Sequence, residues 1–188
     1  VIDAVQIVAA QEWQEEIGSW LEEHGFEDKF RGFSLPGENR QLSIFHGLTD
    51  IRQYAEEDDL VLIHDAARPL LSQKLIADCA EAIRGHDGVL PVLPMKDTVY
   101  YSKDGSRSHP CWTGRRFSPD RHRNFSGWGH ITGPMRGCFR MKSCGSMVLE
   151  PAVLAGMQIA MVPGDERNFK ITTPADLKRF RQIVENEA

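Results

Sequence analysis

Asp65 and Arg68 close an apolar run in V-L-I-H-D-A-A-R-P at 61–69, a carboxylate and a guanidinium set where a buried strand gives out. Open α/β sheets build their sites this way, because ligands settle outside the carboxyl ends of the strands. The pair also fits a plainer reading, an ion pair across a turn whose exit Pro69 fixes. About a hundred residues on, G-D-E-R-N-F-K-I-T-T-P-A-D-L at 164–177 places Lys170 immediately ahead of a helix start. That position suits an anionic ligand, and equally an ordinary surface lysine. His64 reads as a structural residue at the strand end.

These side chains need elements to carry them, and from 1 to 104 strands and helices alternate. Apolar runs predict strands at 4–9, 30–35, 60–64 and 88–94. Trp13, Ile17, Trp20 and Leu21 recur at helical spacing over 11–24, with Gly25 as the stop. Trp13 and Trp20 are expected in the core. Ile44, Leu48 and Ile51 mark one face of a helix over 41–54. Ser72 caps a third helix carrying Leu75, Ile76, Cys79 and Ile83, closed by Gly85. The grammar resumes at 154–188 with a strand over 157–163. A helix then follows, capped by Thr173, with Pro174 first and Asp176 three residues after the cap. Strands separated by helices imply βαβ units, a largely parallel sheet and one domain over 1–188.

The composition agrees: 188 residues, 41% hydrophobic and 26% charged, suffice for one globular core. No apolar run approaches the ~18 residues a membrane span needs, so no membrane partner is expected. Cys79, Cys111, Cys138 and Cys144 form neither a C-x-x-C pair nor a disulfide framework, which points to a reducing cytoplasm. The opening Val1-Ile2-Asp3-Ala4 has no methionine and no signal-like core, and reads as the interior of a longer sequence.

Residues 106–149 break the pattern. Seven arginines and Lys142 face a single acid, Asp120, for a net charge of +7 in a chain whose total is −5. Three of the four cysteines lie there, and no apolar period survives beyond a few residues. A stretch this long without structure of its own argues against a simple loop.

H-D-A-A-R-P at 64–69, D-T at 97–98 and N-F-K-I-T at 168–172 together resemble the 2-C-methyl-D-erythritol 4-phosphate cytidylyltransferase family. P-G-E-N-R-Q-L-S-I-F-H-G-L at 36–48 resembles the family's segment between its second strand and the following helix. The likeness covers 1–101 and 150–188, in order. H-D-A-A-R-P is specific to this family and close relatives, pentitol-phosphate cytidylyltransferases among them; D-T alone is weak. The resemblance implies a Rossmann-like nucleotidyltransferase fold of the nucleotide-diphospho-sugar transferase type, α/β with a mostly parallel sheet and here truncated at its amino end. It also implies CTP and a polyol phosphate as substrates, Mg2+ or another divalent cation, and a homodimer formed through a β-arm. A phosphate oxygen of the polyol attacks the α-phosphorus of CTP, and pyrophosphate leaves.

By matching position, Asp65 falls at the nucleotide and metal junction, and Asp65 and Lys170 are the catalytic pair. Arg68 would hold the strand-end loop or a substrate phosphate. Thr98 and Lys170 would contact the sugar phosphate, Lys170 as a point charge for anionic oxygens. Gly37 and Ser43 would lie near the cytidine. Taken alone, Ser43 also fits a helix-start residue and Thr98 an ordinary strand residue.

The family begins with a strand and a glycine-rich loop whose Arg and Lys cradle the triphosphate, and this sequence starts after that region. Its L-L-D-R and Q-A-P-E-F motifs and its Thr-acid pair are not present in 106–149 as written. Back-translated and read one base earlier, with suitable codons, 109–114 gives S-L-L-D-R and 117–127 yields Q-A-P-E-L-F-R. Some letters are forced: Met141-Lys142 must yield Glu, and Trp128-Gly129 and Met147-Val148 must each yield Gly. The expectation is that 106–149 is an out-of-frame translation, that the β-arm and substrate region are replaced there, and that turnover is impaired.

Two readings of other classes compete. The first is a non-catalytic remnant or dimerisation partner that keeps the fold. The second takes the arginines, aromatics and His/Cys content of 106–149 as an RNA-binding or zinc-binding insert. The spacings of His109, Cys111, Cys138 and Cys144 match no standard zinc module, so neither nucleic acid nor zinc is expected as a partner. Ribitol 5-phosphate is the alternative polyol.

Overall fold

The structure, a computed structural model, describes residues 2–94, 106, 125–127, 131–134 and 156–187. β1 (Val5–Val8) leads through α1 (Gln11–Glu23) to β2 (Phe30–Ser34), which pairs with it in parallel. Gly25 ends α1 at φ +69, a conformation that costs glycine nothing, with its N–H on the Glu22 carbonyl. α2 (Arg40–Ile51) starts where the Asn39 side chain accepts from the Leu42 N–H. It crosses β1 so closely that a Cβ on Gly47 would lie 2.9 Å from Val8 Cγ2. Buried Ser34 ties the layers, donating to Asp50 on α2 and accepting from the Gln6 amide on β1.

The second sheet holds β3 (Leu60–Ile63), β4 (Gly88–Pro94), β5 (Phe125–Gly127), β6 (Ile131–Pro134) and β7 (Ile159–Pro163). β3 and β4 both run antiparallel to β6, and β7 runs parallel to β4 from Gly88↔Ile159 to Val92↔Pro163. β3, β4 and β7 therefore point the same way, and their carboxyl ends share one rim. Pairings outside 106–149 are parallel; those made by β5 and β6, inside it, are antiparallel. These two short strands depart from the expectation of no regular structure there. Three or four residues can join a sheet through backbone bonds alone, and they are too few to display an alternating pattern.

Apolar faces join the elements in two clusters. Leu48 of α2 packs on Val61 of β3, with Ile44, Ile51 and Ile63 around them. α3 (Gln73–Ala82), capped by Ser72, lays Leu75 and Cys79 with Ile83 on Val89 and Val162. Burial pushes the Cys79 thiol up to about 11, so it is an inert core residue. Trp13 and Trp20 correct the expectation of core tryptophans: they are 55% and 51% exposed. α1 half-buries Ile17 and Leu21 and carries the two indoles on its flank. Trp20 stacks instead on His24 and Phe26, at centroid distances of 4.2 and 5.9 Å. Helical spacing marks an apolar stripe without saying how much of it a neighbour covers. No helix among the described residues is long and apolar enough to cross a membrane.

Candidate active site

Leu60–Ile63 forms β3 and delivers Asp65 to the rim just beyond its end. Arg68 is buried at 4% exposure, while Asp65 is 16% exposed. The loop between them is a tight turn: the Arg68 N–H bonds the Asp65 carbonyl, and His64 Nε2 donates to the Arg68 carbonyl at 2.9 Å. Burial is the main reason the His64 imidazole has a pKa below its ordinary value, which keeps it neutral in this structural role.

The second motif meets the first here. Arg68 Nη1 donates to the Asn168 carbonyl at 2.9 Å, and the Ile171 N–H donates to the Ala67 carbonyl at 2.8 Å. These bonds join segments separated by about a hundred residues. The crossing loop is itself fastened at both ends. On one side Asp165 accepts from the Arg167 and Asn168 N–H groups. On the other, Asp176 of α4 (Pro174–Glu185) accepts from the N–H and hydroxyl groups of Thr172 and Thr173. The Thr172 N–H leads the donors that hold the Asp176 carboxyl below the usual range, and Thr173 completes the expected capping box. Phe169 sits under the Arg179 guanidinium, 4.2 Å from ring centroid to carbon.

Asp65 is thus enclosed by cations. Oδ1 accepts from Arg40 Nε at 3.1 Å and Nη2 at 2.5 Å, while Oδ2 lies 3.5 Å from Arg68 Nε. Burial opposes ionisation of this carboxyl. The Arg40 hydrogen bond and charge, then the charges of Lys170 and Arg68, outweigh it and hold the pKa below the ordinary carboxylate value. Lys170 therefore stands within electrostatic reach of Asp65, on the same rim, as the two motifs require.

The third contributor is the loop 36–39 before α2. The Gly37 N–H donates to Ser43 Oγ at 3.0 Å, and that hydroxyl donates to the Asn39 carbonyl at 2.9 Å. A Cβ on Gly37 would lie 2.3 Å from the Leu42 Cβ, so only glycine lets the loop fold onto the helix. Ser43 serves this local turn, the helix-start role open to it in the sequence. Arg40, at the first position of α2, carries the loop across to Asp65.

The structure brings Asp65, Arg68 and Lys170 together and connects Gly37 and Ser43 to them through Arg40. The Arg68 guanidinium is 4% exposed and bonded through Nη1 to the Asn168 carbonyl, an arrangement that serves the loop-holding role. Thr98 lies outside the described residues. Two participants were missed. Arg40 was visible within P-G-E-N-R-Q-L-S, directly after the capping Asn39, but nothing in its spacing signals a partner twenty-five residues away. The Asn168 carbonyl, being backbone, leaves no signal at all.

Asp65 is one carboxylate among three cations, and the described residues hold no group of three or more His, Cys, Asp or Glu able to cage a metal. With one carboxylate in this set, a Mg2+ ion held here would draw the rest of its shell from phosphates and water, as Mg2+ commonly does.

Comparisons with known proteins identify the family and the fold. The family model described as 2-C-methyl-D-erythritol 4-phosphate cytidylyltransferase matches residues 6–109. The chain is 32% identical over 162 residues to the protein of that name from Geobacter metallireducens, covering 84% of this chain and 67% of that one. It is 28% identical to a ribitol-5-phosphate cytidylyltransferase from Streptococcus agalactiae, covering 98% of this chain and 77% of that one. The 4-diphosphocytidyl-2C-methyl-D-erythritol synthase structure from Anaerococcus prevotii superposes with a TM-score of 0.78 at 21% identity, over 97% of this chain and 79% of that one, and shares the fold. The chain spans 62% of the length of the methylerythritol phosphate cytidylyltransferase from Trichormus variabilis and 72% of that from Geotalea uraniireducens. With the matched stretch holding both the 36–48 segment and H-D-A-A-R-P, this chain belongs to the 2-C-methyl-D-erythritol 4-phosphate cytidylyltransferase family.

Proposed function

We propose that this fold transfers CMP from CTP to 2-C-methyl-D-erythritol 4-phosphate with release of pyrophosphate, a step toward isoprenoid precursors, and that the chain as written is impaired in it. The observation that carries the reading is the crossing of 64–69 with 168–172, which brings the loop carrying Lys170 to the strand end carrying Asp65.

The attacking group is a phosphate oxygen, already anionic near neutral pH, so no general base is required. The barrier is the repulsion between two phosphates brought together, and fixed cations lower it. Lys170 supplies one such charge toward the sugar phosphate. Arg68 keeps the loop bearing Asp65 in place. Mg2+, where bound, would be held by Asp65 together with the nucleotide's own phosphates and would neutralise charge as pyrophosphate departs. Gly37 and Ser43 shape the loop facing the nucleoside, and Thr98 is assigned to the sugar phosphate by motif alone.

Ribitol 5-phosphate is the second candidate acceptor, favoured by the Streptococcus agalactiae relative that aligns over 98% of this chain. A cytoplasmic homodimer is the proposed setting, with a non-catalytic dimerisation partner as the rival of another class. We further infer that 106–149 is an out-of-frame stretch, supported by the forced Glu and Gly letters and by the recovered S-L-L-D-R. Genomic sequencing through codon 150 checks this; a clean read without paired insertions or deletions overturns it.

Incubation with CTP, Mg2+ and either polyol phosphate, following pyrophosphate release, tests the activity. The expected result is CTP binding with slow release, faster with methylerythritol phosphate than with ribitol phosphate. Absence of any CTP binding by calorimetry sinks the nucleotidyl-transfer reading, and robust turnover sinks the claim of impairment.

A further inference from the structure

The carboxylate of Asp65 divides its oxygens between two arginines of opposite character. Oδ2 faces Arg68, which is 4% exposed and spends Nη1 on the Asn168 carbonyl. Oδ1 takes both Nε and Nη2 of Arg40, whose side chain is 38% exposed. Two donors of Arg40 converge on Oδ1 while Arg68 faces Oδ2, so the carboxylate is held from both sides. Arg40 has little freedom of its own at its root. It follows the Asn39 cap directly, and the Gly37–Ser43–Asn39 bonds fold the preceding loop onto the first turn of α2. A loop locked to a helix start is therefore joined, through one side chain, to a carboxylate just beyond the end of β3.

We propose that Arg40 is a positioning residue. It aims Asp65 and holds the 36–43 loop at a fixed span from it, so that the nucleoside and phosphate ends of one ligand are gripped together. This rests on the cytidylyl-transfer reading for the identity of the ligand, but not for the coupling itself. Arg40 acts through Asp65, and its removal should matter for a ligand that reaches both places and little for one that reaches only the loop.

The test uses the full chain and the variants Arg40→Ala, Arg40→Lys, Asp65→Asn and the double variant Arg40→Ala/Asp65→Asn. Without ligand, amide hydrogen exchange over Ala66–Arg68 should quicken several-fold in Arg40→Ala, with a smaller change in Arg40→Lys, which keeps the charge and loses the fork. Calorimetry with CTP and Mg2+ should show affinity falling about tenfold in Arg40→Ala, the size of one charge-assisted hydrogen bond. Cytidine alone should lose less than about twofold, and Arg40→Ala should add almost nothing in the Asp65→Asn background. Equal losses for CTP and cytidine would mean that the loop has merely collapsed, and would overturn the positioning role. Unchanged exchange at Ala66–Arg68 overturns it whatever the ligand data show. If exchange responds but the unmodified chain binds no CTP, the coupling stands and the cytidylyl-transfer reading is what fails.

Discussion

Two segments meet Asp65, and they are built on opposite terms. On the inner side, 64–69 and 168–172 are locked by a backbone bond and by the buried Arg68 guanidinium. On the outer side, the 36–43 loop reaches the same carboxylate through half-exposed Arg40. Burial makes the inner contact costly to break, because a lost partner leaves polar groups in the interior without water. Exposure makes the outer contact cheap for stability, since water replaces whatever is removed. The molecule thus separates what keeps the rim folded from what orients its carboxylate.

The sharpest way to break that contrast is Arg68→Ala. It strips the Asn168 carbonyl and the Asp65 side chain of a buried partner, and should cost about 3 kcal/mol by urea denaturation. A loss under about 1 kcal/mol would erase the distinction between the two sides. Gly37→Ala comes next, because its new methyl meets the Leu42 Cβ and backbone inside van der Waals distance. It should cost about 2 kcal/mol, and far more in nucleoside affinity than any change on α1, which a melt and a cytidine titration together would reveal.

Acid titration probes the shared carboxylate. Asp65 is held below its ordinary pKa, so the stability it adds is present above the ordinary carboxylate range and is lost as pH falls through the folded value. Denaturation of the wild type and Asp65→Asn should therefore differ near neutral pH and converge below about pH 4. A gap that widens in acid would reverse the sign of the argument. The smallest effect belongs to Arg40→Ala, expected to change stability by about 1 kcal/mol or less. A cost as large as that of Arg68→Ala would make the outer loop a structural element as well.

Outside 106–149 the element order was legible because each piece carries its own local signal: Ser72 and Thr173 start helices, Gly25 stops one, and β-branched runs mark strands. The two strand-end motifs were legible for the same reason. Long-range facts were not. Whether Arg68 faces a ligand or the interior depends on the Asn168 carbonyl, a backbone atom far along the chain. Whether Trp20 is core depends on what covers α1, and a stacked His24 and Phe26 satisfy it outside the interior. Arg40 needed a rotamer pointed at the turn after β3, and no periodicity encodes that.

The bond from Ile171 to Ala67 also sets an order in time. When the ribosome has made Asp65 and Arg68, the carbonyl and N–H that will anchor them are still about a hundred residues from being synthesised. At about 5–20 residues per second, the newborn rim waits on the order of 5–20 seconds for its clasp. During that interval the turn after β3 stands without the two bonds that later fasten it.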